Sequence, residues 1–191
     1  MEYHGTWKEI WTQKGMEDGT KEKVKIFDGW EKSETEIEVI AEKIKTKLDI
    51  KKEDRILEVG CGAGGIAQFI DCDYIGIDFS KPLTEKCMLF FQKTAICTEA
   101  NNLPFRDGVF DKCFSWGVFL YFPNLDYMEQ VVLEMKRVTK GMIFIGDIPK
   151  RSQNKRHMTY TEQQFQNLGF ETLGGWAAPY QEDRFNAFFK G

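Results

Sequence analysis

Two periodicities of apolar residues alternate along this chain of 191 residues. Short apolar runs are typical of buried strands, whereas apolar residues spaced three and four apart are typical of amphipathic helices. Strands are predicted at 55–59, 74–77, 94–98, 110–116, 141–145, 170–173 and 184–189. Helices are predicted at 34–48 behind a Ser33-Glu36 capping box, at 65–69, at 82–92, from Pro123-Asn124 to Val138, and from Thr161 to Gly169.

Strands that alternate with helices predict a parallel sheet with helices on both faces. The last two predicted strands have no helix between them, so they should form an antiparallel hairpin at one edge. The expected fold is therefore a three-layer αβα sandwich around a seven-stranded, mostly parallel sheet with an antiparallel C-terminal edge. Because no linker or repeat interrupts the pattern, we expect one domain over residues 1–191.

The first 32 residues are polar but rich in aromatic side chains. Trp7 and Trp11 are four positions apart, which places both on one face of a short helix, and Tyr3, Phe27 and Trp30 lie nearby. This segment either packs its tryptophans on the main body or forms a lid, over residues 1–32, above a cofactor.

Composition narrows the partners and the compartment. The net charge of -4 provides no general attraction to nucleic acid or to an anionic membrane. The five cysteines form no C-x-x-C pair, and no secretion signal or apolar run of membrane-spanning length is present, so we expect a cytoplasmic protein. The two histidines, His4 and His157, are not in a metal-ligand pattern, so no metal is expected.

Glycines follow directly after the strand predicted at 55–59. Gly60, Gly62, Gly64 and Gly65 predict a tight turn at which a helix begins and bare backbone N–H groups meet a ligand. Ligands bind beyond the carboxyl ends of parallel strands, and Asp78 ends the next strand. This arrangement predicts a nucleotide-type cofactor site.

Two cofactor classes fit this turn. Gly60-x-Gly62-x-x-Gly65 with Asp78 further on matches a dinucleotide fingerprint, which would make the protein a nicotinamide-dependent oxidoreductase. Glu58 argues against a diphosphate, because it adds a negative charge next to the turn, and it suits a cofactor with an amino group. A binding module that keeps the cofactor without turnover is a third possibility.

Four motifs in order resemble those of class I S-adenosylmethionine-dependent methyltransferases, which have a Rossmann-like fold. They are Glu58-Val59-Gly60-Cys61-Gly62-x-Gly64, Gly76-Ile77-Asp78-Phe79-Ser80, Glu99 to Phe105, and Phe110-Asp111 through Pro123. The resemblance implies S-adenosylmethionine as cofactor. It assigns the methionine part to Glu58 and the turn of Gly60, Cys61, Gly62 and Gly64, the ribose to Asp78, and the adenine to Glu99 and Ala100. We also expect Phe79 at the cofactor and Trp116 as a wall of its pocket.

The acceptor is less constrained by the motifs. Ser115-Trp116-Gly117 replaces the Asn/Asp-Pro-Pro-aromatic motif of the family's amine-methylating branch, so methylation of an oxygen on a small molecule, not on nucleic acid, is favoured. Transfer to oxygen calls for a general base, and Asp147 and His157 are the candidates. Tyr121 is expected beside the acceptor.

A basic loop follows the strand at 141–145. Lys150, Arg151 and Arg156 lie in it without an acidic neighbour, although the protein as a whole is acidic. Such a loop is either a solvated surface or a clamp for a phosphate or carboxylate. The clamp predicts an anionic acceptor, such as a nucleotide sugar or a phosphorylated metabolite.

Overall fold

The computed structural model describes residues 5–191, and Tyr3 and His4 lie outside them. Seven strands form one sheet in the order β3-β2-β1-β4-β5-β7-β6. Strand β7 runs antiparallel to both of its neighbours, and the remaining pairs are parallel. The strands are β1 (Arg55–Val59), β2 (Asp73–Asp78), β3 (Thr94–Cys97), β4 (Lys112–Trp116), β5 (Ile143–Pro149), β6 (Glu171–Gly174) and β7 (Arg184–Phe189).

Helices cover both faces of this sheet. They are α1 (Trp7–Met16), α2 (Val24–Phe27), α3 (Ile37–Leu48), α4 (Lys81–Phe91), α5 (Leu125–Val138) and α6 (Glu162–Asn167). The apolar faces of α5 and α6 pack on one side of the sheet, and α3 packs on the other. The predicted αβα sandwich with its antiparallel C-terminal edge is confirmed. No helix among residues 5–191 is both long and apolar enough to cross a bilayer.

Two predicted helix starts are wrong. The glycine turn leads into a 3-10 turn at Ala67–Phe69 and not into an α-helix, because only a few residues separate it from β2. Helix α3 begins at Ile37 after Glu36, and Glu36 makes no side-chain cap. The Ser33 hydroxyl instead bonds within its own turn, accepting from the Thr35 N–H at 3.2 Å.

Strand β5 extends beyond its predicted end. Asp147 lies inside the strand, where a bulge between Ile145 and Ile148 interrupts the pairing with β7. Its backbone is left-handed, with φ of 59°, and its N–H donates to the Asn186 Oδ1 at 3.0 Å. The predicted bounds of 141–145 are therefore wrong, because the strand continues through Asp147, and the bulge redirects this residue.

Candidate functional site

A cavity of about 300 Å³ lies at the carboxyl ends of β1, β2 and β4, where the order of the strands reverses. Reversal points of this kind are where open α/β sheets bind ligands. Most of the predicted cofactor residues line the cavity, namely Glu58, Gly60, Cys61, Gly62, Asp78, Phe79, Ala100 and Trp116, together with Tyr121. Gly64 and Glu99 are not among the lining residues.

Gly60 forms the sharpest part of the turn. Its φ is +81°, and a Cβ atom built on it would lie 2.2 Å from Val118 Cγ2. Gly64, with φ of +95°, faces away from the cavity towards Cys87 and Phe91 of α4. We therefore assign Gly64 to packing, whereas Gly60 holds the backbone of the cavity open.

Carboxylates accept hydrogen bonds from the N–H groups of the turn, although the sequence predicts that these groups are free to bind a ligand. Gly62 N donates to Asp78 Oδ2 at 3.1 Å, Ala63 N to Asp28 Oδ1 at 2.6 Å, and Gly65 N to Asp28 Oδ2 at 2.7 Å. The expectation of free donors is wrong. Asp28 follows α2, far from the turn in sequence, and no sequence pattern connects it with the glycines.

Three acids converge on this cavity: Asp28, Glu58 and Asp78. Burial raises the pKa of Asp28 to about 7 and that of Asp78 to about 6. Burial also raises the pKa of Glu58, which is 3% exposed and accepts a hydrogen bond from the Tyr74 hydroxyl at 2.5 Å. A cationic ligand would favour the ionised form of all three acids, whereas a diphosphate would be repelled by them.

These raised pKa values predict a pH-dependent stability of the unliganded protein. Folding retains protons on Asp28 and Asp78 that the unfolded chain releases near its ordinary pKa of about 4. Stability should therefore fall as pH rises from about 4 to about 7, by on the order of 1 kcal/mol per pH unit. His157 has the opposite effect on stability, because its pKa is lowered to about 4 and the unfolded chain binds the proton more tightly, but it is a single group.

Urea denaturation across this pH range would measure the slope. Asp28→Asn should flatten it, because the variant has no proton to release at that position. The matched control is Asp18→Asn, an exposed aspartate of the same N-terminal segment. A slope that is equal in the wild type and in Asp28→Asn would contradict the prediction.

Glu99 lies beside the cavity and contacts the N-terminal helix. Its carboxylate forms an ion pair with Lys8 of α1 and accepts a hydrogen bond from the Tyr127 hydroxyl at 2.9 Å. Lys8, Thr98, Ala100 and Tyr127 line the cavity at this end. The structure therefore brings Ala100, but not the carboxylate of Glu99, to the predicted adenine end.

A second cavity, of about 620 Å³, adjoins the first. The two share Asp28, Gly117 and the aromatic residues Trp7, Trp11, Trp30, Trp116 and Tyr121. Trp116 forms a wall of both cavities, whereas the sequence predicts it only as a wall of the cofactor pocket. Its ring stacks on Phe144 and Trp176 at centroid distances of 6.3 and 5.9 Å. The second cavity also contains Asp147, Arg151, His157 and Arg184, and sequence reasoning missed Arg184.

The two candidate bases differ in their surroundings. Burial raises the pKa of Asp147 to about 6, and the Arg184 guanidinium partly offsets this effect. Burial and the neighbouring arginines Arg184 and Arg156 lower the pKa of His157 to about 4. The His157 Nδ1 also lies 2.8 Å from the Ser152 hydroxyl. Asp147 is therefore the stronger base.

The basic loop does not bring its three cations together at the second cavity. Lys150 Nζ lies 3.6 Å from a Glu162 carboxylate oxygen, and Arg156 lies over the Trp7 ring and donates to the Gly5 carbonyl. Only Arg151 of the three lines the second cavity, and it is exposed. The loop instead binds the N-terminal helix, since Trp7 Nε1 donates to the Arg156 carbonyl at 3.0 Å.

Comparison with known proteins decides which cofactor class applies. Residues 57–144 match the family model described as a methyltransferase domain. The chain contains a class I S-adenosylmethionine-dependent methyltransferase domain. The match begins within β1, ends at the start of β5 and includes the glycine turn with Glu58 and Asp78, whereas Asp28 lies outside it. S-adenosylmethionine is the cofactor of this domain.

Several relatives share this methyltransferase domain at low identity. The chain is 27% identical over 136 residues to sterol 4-C-methyltransferase strm-1 of Caenorhabditis elegans, covering 60% of this chain and 38% of the relative. It is 26% identical over 133 residues to tRNA (carboxymethyluridine(34)-5-O)-methyltransferase alkbh8 of Xenopus tropicalis, covering 65% of this chain and 21% of the relative. The chain thus spans well under half the length of these relatives.

Solved structures show the fold over a larger share of the chain. N-methyltransferase NodS from Bradyrhizobium japonicum, in complex with S-adenosyl-L-homocysteine, has a TM-score of 0.74 at 16% identity and covers 96% of this chain and 97% of its own. The names of these proteins give different methyl acceptors, so the acceptor of this protein has to be inferred from its own site.

The residues of the methyltransferase domain fit S-adenosylmethionine. A sulfonium and an ammonium group suit the three acids around the turn, and no backbone N–H of Gly62, Ala63 or Gly65 is left for a diphosphate. When the cofactor is bound, Glu58 would hold the ammonium group and Asp78 the ribose hydroxyls. In residues 5–191, no group of three or more His, Cys, Asp or Glu side chains is arranged to bind a metal ion.

Proposed function

We propose that this protein transfers a methyl group from S-adenosylmethionine to an oxygen of a small anionic acceptor bound in the second cavity. The observation that carries the proposal is the position of Asp147, a half-buried base in a cavity that shares its aromatic wall with the cofactor cavity. The cofactor supplies a methyl group that is already electrophilic, so the protein has to position the acceptor oxygen and accept its proton.

Asp147 is the residue that accepts this proton. Its carboxylate lines the cavity, and its side chain is 21% exposed there, next to Arg184. With a pKa of about 6, the carboxyl is mostly ionised at neutral pH yet close enough to neutrality to take up a proton. His157 and Tyr121, which pack against each other at 5.6 Å, complete the wall beside the acceptor.

Calorimetry followed by methyl-release assays tests the proposal. We expect S-adenosylhomocysteine to bind and NADH not to bind; the reverse would support an oxidoreductase and exclude this function. Methyl release would then be measured over sugar phosphates, nucleotide sugars, ring-bearing hydroxy acids, sterols and tRNA. Turnover of tRNA or of a sterol alone would contradict a small anionic acceptor, and binding without turnover on any acceptor would support a regulatory module.

We propose further that residues 1–191 form a single domain in which residues 1–32 act as a lid; residues 1–4 of that segment lie outside the described structure. Helix α1 forms the roof of both cavities through Trp7 and Trp11, whose rings contact Tyr121 at 4.8 and 5.1 Å. The Lys8–Glu99 ion pair closes the roof over the adenine end.

Limited trypsin digestion tests the lid. Cleavage within residues 7–25 should slow when S-adenosylhomocysteine is added, because the closed lid covers the ligand. Lys8→Gln should reduce this protection and raise the ligand dissociation rate by up to about fivefold, since an exposed ion pair contributes up to about 1 kcal/mol. Lys21→Gln, an exposed position in the same segment, is the control. Cleavage that the ligand does not change would show that α1 is fixed packing, and equal protection in all three proteins would show that the Lys8–Glu99 pair does not hold the lid.

The expected cytoplasmic location is also a proposal. All five cysteines are free thiols, and three of them, Cys61, Cys87 and Cys113, are buried. Free thiols in this number suit a reducing compartment.

A further inference from the structure

The second cavity contains a cation whose hydrogen-bond donors are unused. Arg184 lines this cavity and is 9% exposed. Its Nε and Nη1 atoms are buried and donate no hydrogen bond to any residue that the structure describes. The Asp147 Oδ1 lies 3.7 Å from Nε, which is within ion-pair range but too far for a hydrogen bond. Buried charged donors without acceptors destabilise a protein, so their retention here points to a ligand that satisfies them.

The other cations around this cavity do not have this property. Lys14 Nζ lies 3.0 Å from a Glu31 carboxylate oxygen and 5.0 Å from the centre of the Trp11 ring. Lys32 and Arg151 are exposed, so water can satisfy their donors. Among the described residues that line the cavity, Arg184 is therefore the cation best placed to bind an anionic group of a ligand.

The strand pairing holds Arg184 in place. It is the first residue of β7 and lies opposite Pro149 of β5, two positions beyond Asp147. Asn186, fully buried on the same strand, accepts the Asp147 N–H and donates from its Nδ2 to the Gly174 carbonyl at 2.5 Å. The bulge in β5 and the start of β7 thus place one cation and one base side by side on rigid elements.

The geometry of the guanidinium selects the anion. Nη1 and Nη2 form the outer edge of the guanidinium plane, and the two parallel N–H groups on such an edge match the two oxygens of a carboxylate. A phosphate dianion would bring a second negative charge close to Asp147. The remaining wall is aromatic, with Trp11, Trp30, Trp116 and Tyr121, which suits a flat or ring-shaped body.

We propose that Arg184 anchors the carboxylate of a ring-bearing hydroxy acid, with the hydroxyl of that acid facing Asp147. This inference rests on the proposed function, because it takes the occupant of the second cavity to be the methyl acceptor. It narrows the acceptor class from anions in general to carboxylic acids, and it moves the anion site from the basic loop to the start of β7.

Calorimetric titration of the complex with S-adenosylhomocysteine tests the proposal. The probes are 2-hydroxybenzoate, 4-hydroxybenzoate and galacturonate, each compared with its uncharged amide, and benzoate compared with phenyl phosphate. We expect at least one carboxylate to bind the wild type tenfold or more tightly than its amide. Arg184→Gln should abolish that preference, and Arg184→Lys should retain only part of it, because a lysine cannot form the two-pronged contact.

The control is Arg55→Gln, at the opposite end of the parallel strands, where Nε is likewise buried and the partner carboxylate is Asp73 at 3.3 Å. It should leave the preference for carboxylates unchanged. The proposal is overturned if no carboxylate binds, if the preference persists in Arg184→Gln, or if phenyl phosphate binds more tightly than benzoate. Failure of S-adenosylhomocysteine to bind the wild type would instead overturn the proposed function. An unchanged affinity of Arg184→Gln for S-adenosylhomocysteine shows that this variant is folded.

Discussion

Asp147→Asn should lower kcat for methyl transfer by about 100- to 10,000-fold, the usual contribution of a positioned general base. The amide has nearly the same shape as the carboxyl and can still contact the acceptor hydroxyl, but it cannot take up the proton. The affinity for S-adenosylhomocysteine should remain within about twofold, because Asp147 lines the second cavity and not the cofactor cavity.

The pH dependence of kcat separates a base from a structural residue. In the wild type, kcat should rise with pH through about 6 and then level off, because Asp147 must be ionised to act. Several other titratable groups line the same cavity, among them Asp28, Glu31, Tyr121, His157, Asp183 and Arg184. His157, with its pKa of about 4, stays neutral over this range, whereas Asp28 has a pKa of about 7 and is retained in Asp147→Asn. Asp147→Asn should therefore remove the rise near pH 6, and any effect of Asp28 on kcat should remain.

His157→Ala provides the comparison. We expect kcat to fall by less than about tenfold, because the variant loses only the packing of His157 on Trp7 at 5.1 Å. Loss of a general base normally lowers kcat by more than that. If His157→Ala costs more than Asp147→Asn, or if Asp147→Asn stays within about threefold of the wild type, Asp147 is not the base.

Asp78→Asn should weaken S-adenosylmethionine binding by about 100-fold or more. A charged oxygen that accepts a hydroxyl hydrogen bond contributes about 1.5 to 3 kcal/mol, and the variant also loses one of the three charges that face the cationic cofactor. Part of the loss comes from the turn itself, because Asp78 accepts the N–H groups of Gly62 and Ser80 at 3.1 and 2.8 Å.

Two measurements isolate the effect on the ligand. Titration with S-adenosylmethionine and with neutral adenosine tests the charge term, because adenosine has the ribose but no cation and should lose less affinity. Asp73→Asn, at the exposed beginning of the same strand, should change neither affinity. Equal losses for the two ligands would mean that Asp78 acts through the ribose and the turn alone.

The parallel core of the fold could be predicted from the sequence because its signals are local. The strand before the glycines, the strand that ends at Asp78 and the final hairpin all appear close to their predicted positions. The helix after the glycine turn failed for a physical reason: the glycines permit a turn, but the number of residues before β2 limits what can follow it.

The sequence predicted those residues of the cofactor site that lie at the ends of the strands. Glu58, Asp78 and Ala100 line one cavity because parallel strands end at one edge of the sheet. Glu99 was assigned to the adenine from the motif, yet its carboxylate pairs with Lys8, a contact between segments 91 positions apart. No local pattern reports such a pairing.

By itself, the sequence indicated the class of this protein through four motifs in order that resemble those of methyltransferases, and Glu58 before the glycine turn favoured a cationic cofactor over a diphosphate. Only the tertiary structure decided what surrounds that turn and where an acceptor binds. Asp28 and Arg184 reach the two cavities from opposite ends of the chain, and Asp147 faces the second cavity through a bulge held by Asn186. Contacts of this kind depend on how distant segments pack, which hydrophobic periodicity and motif spacing do not record.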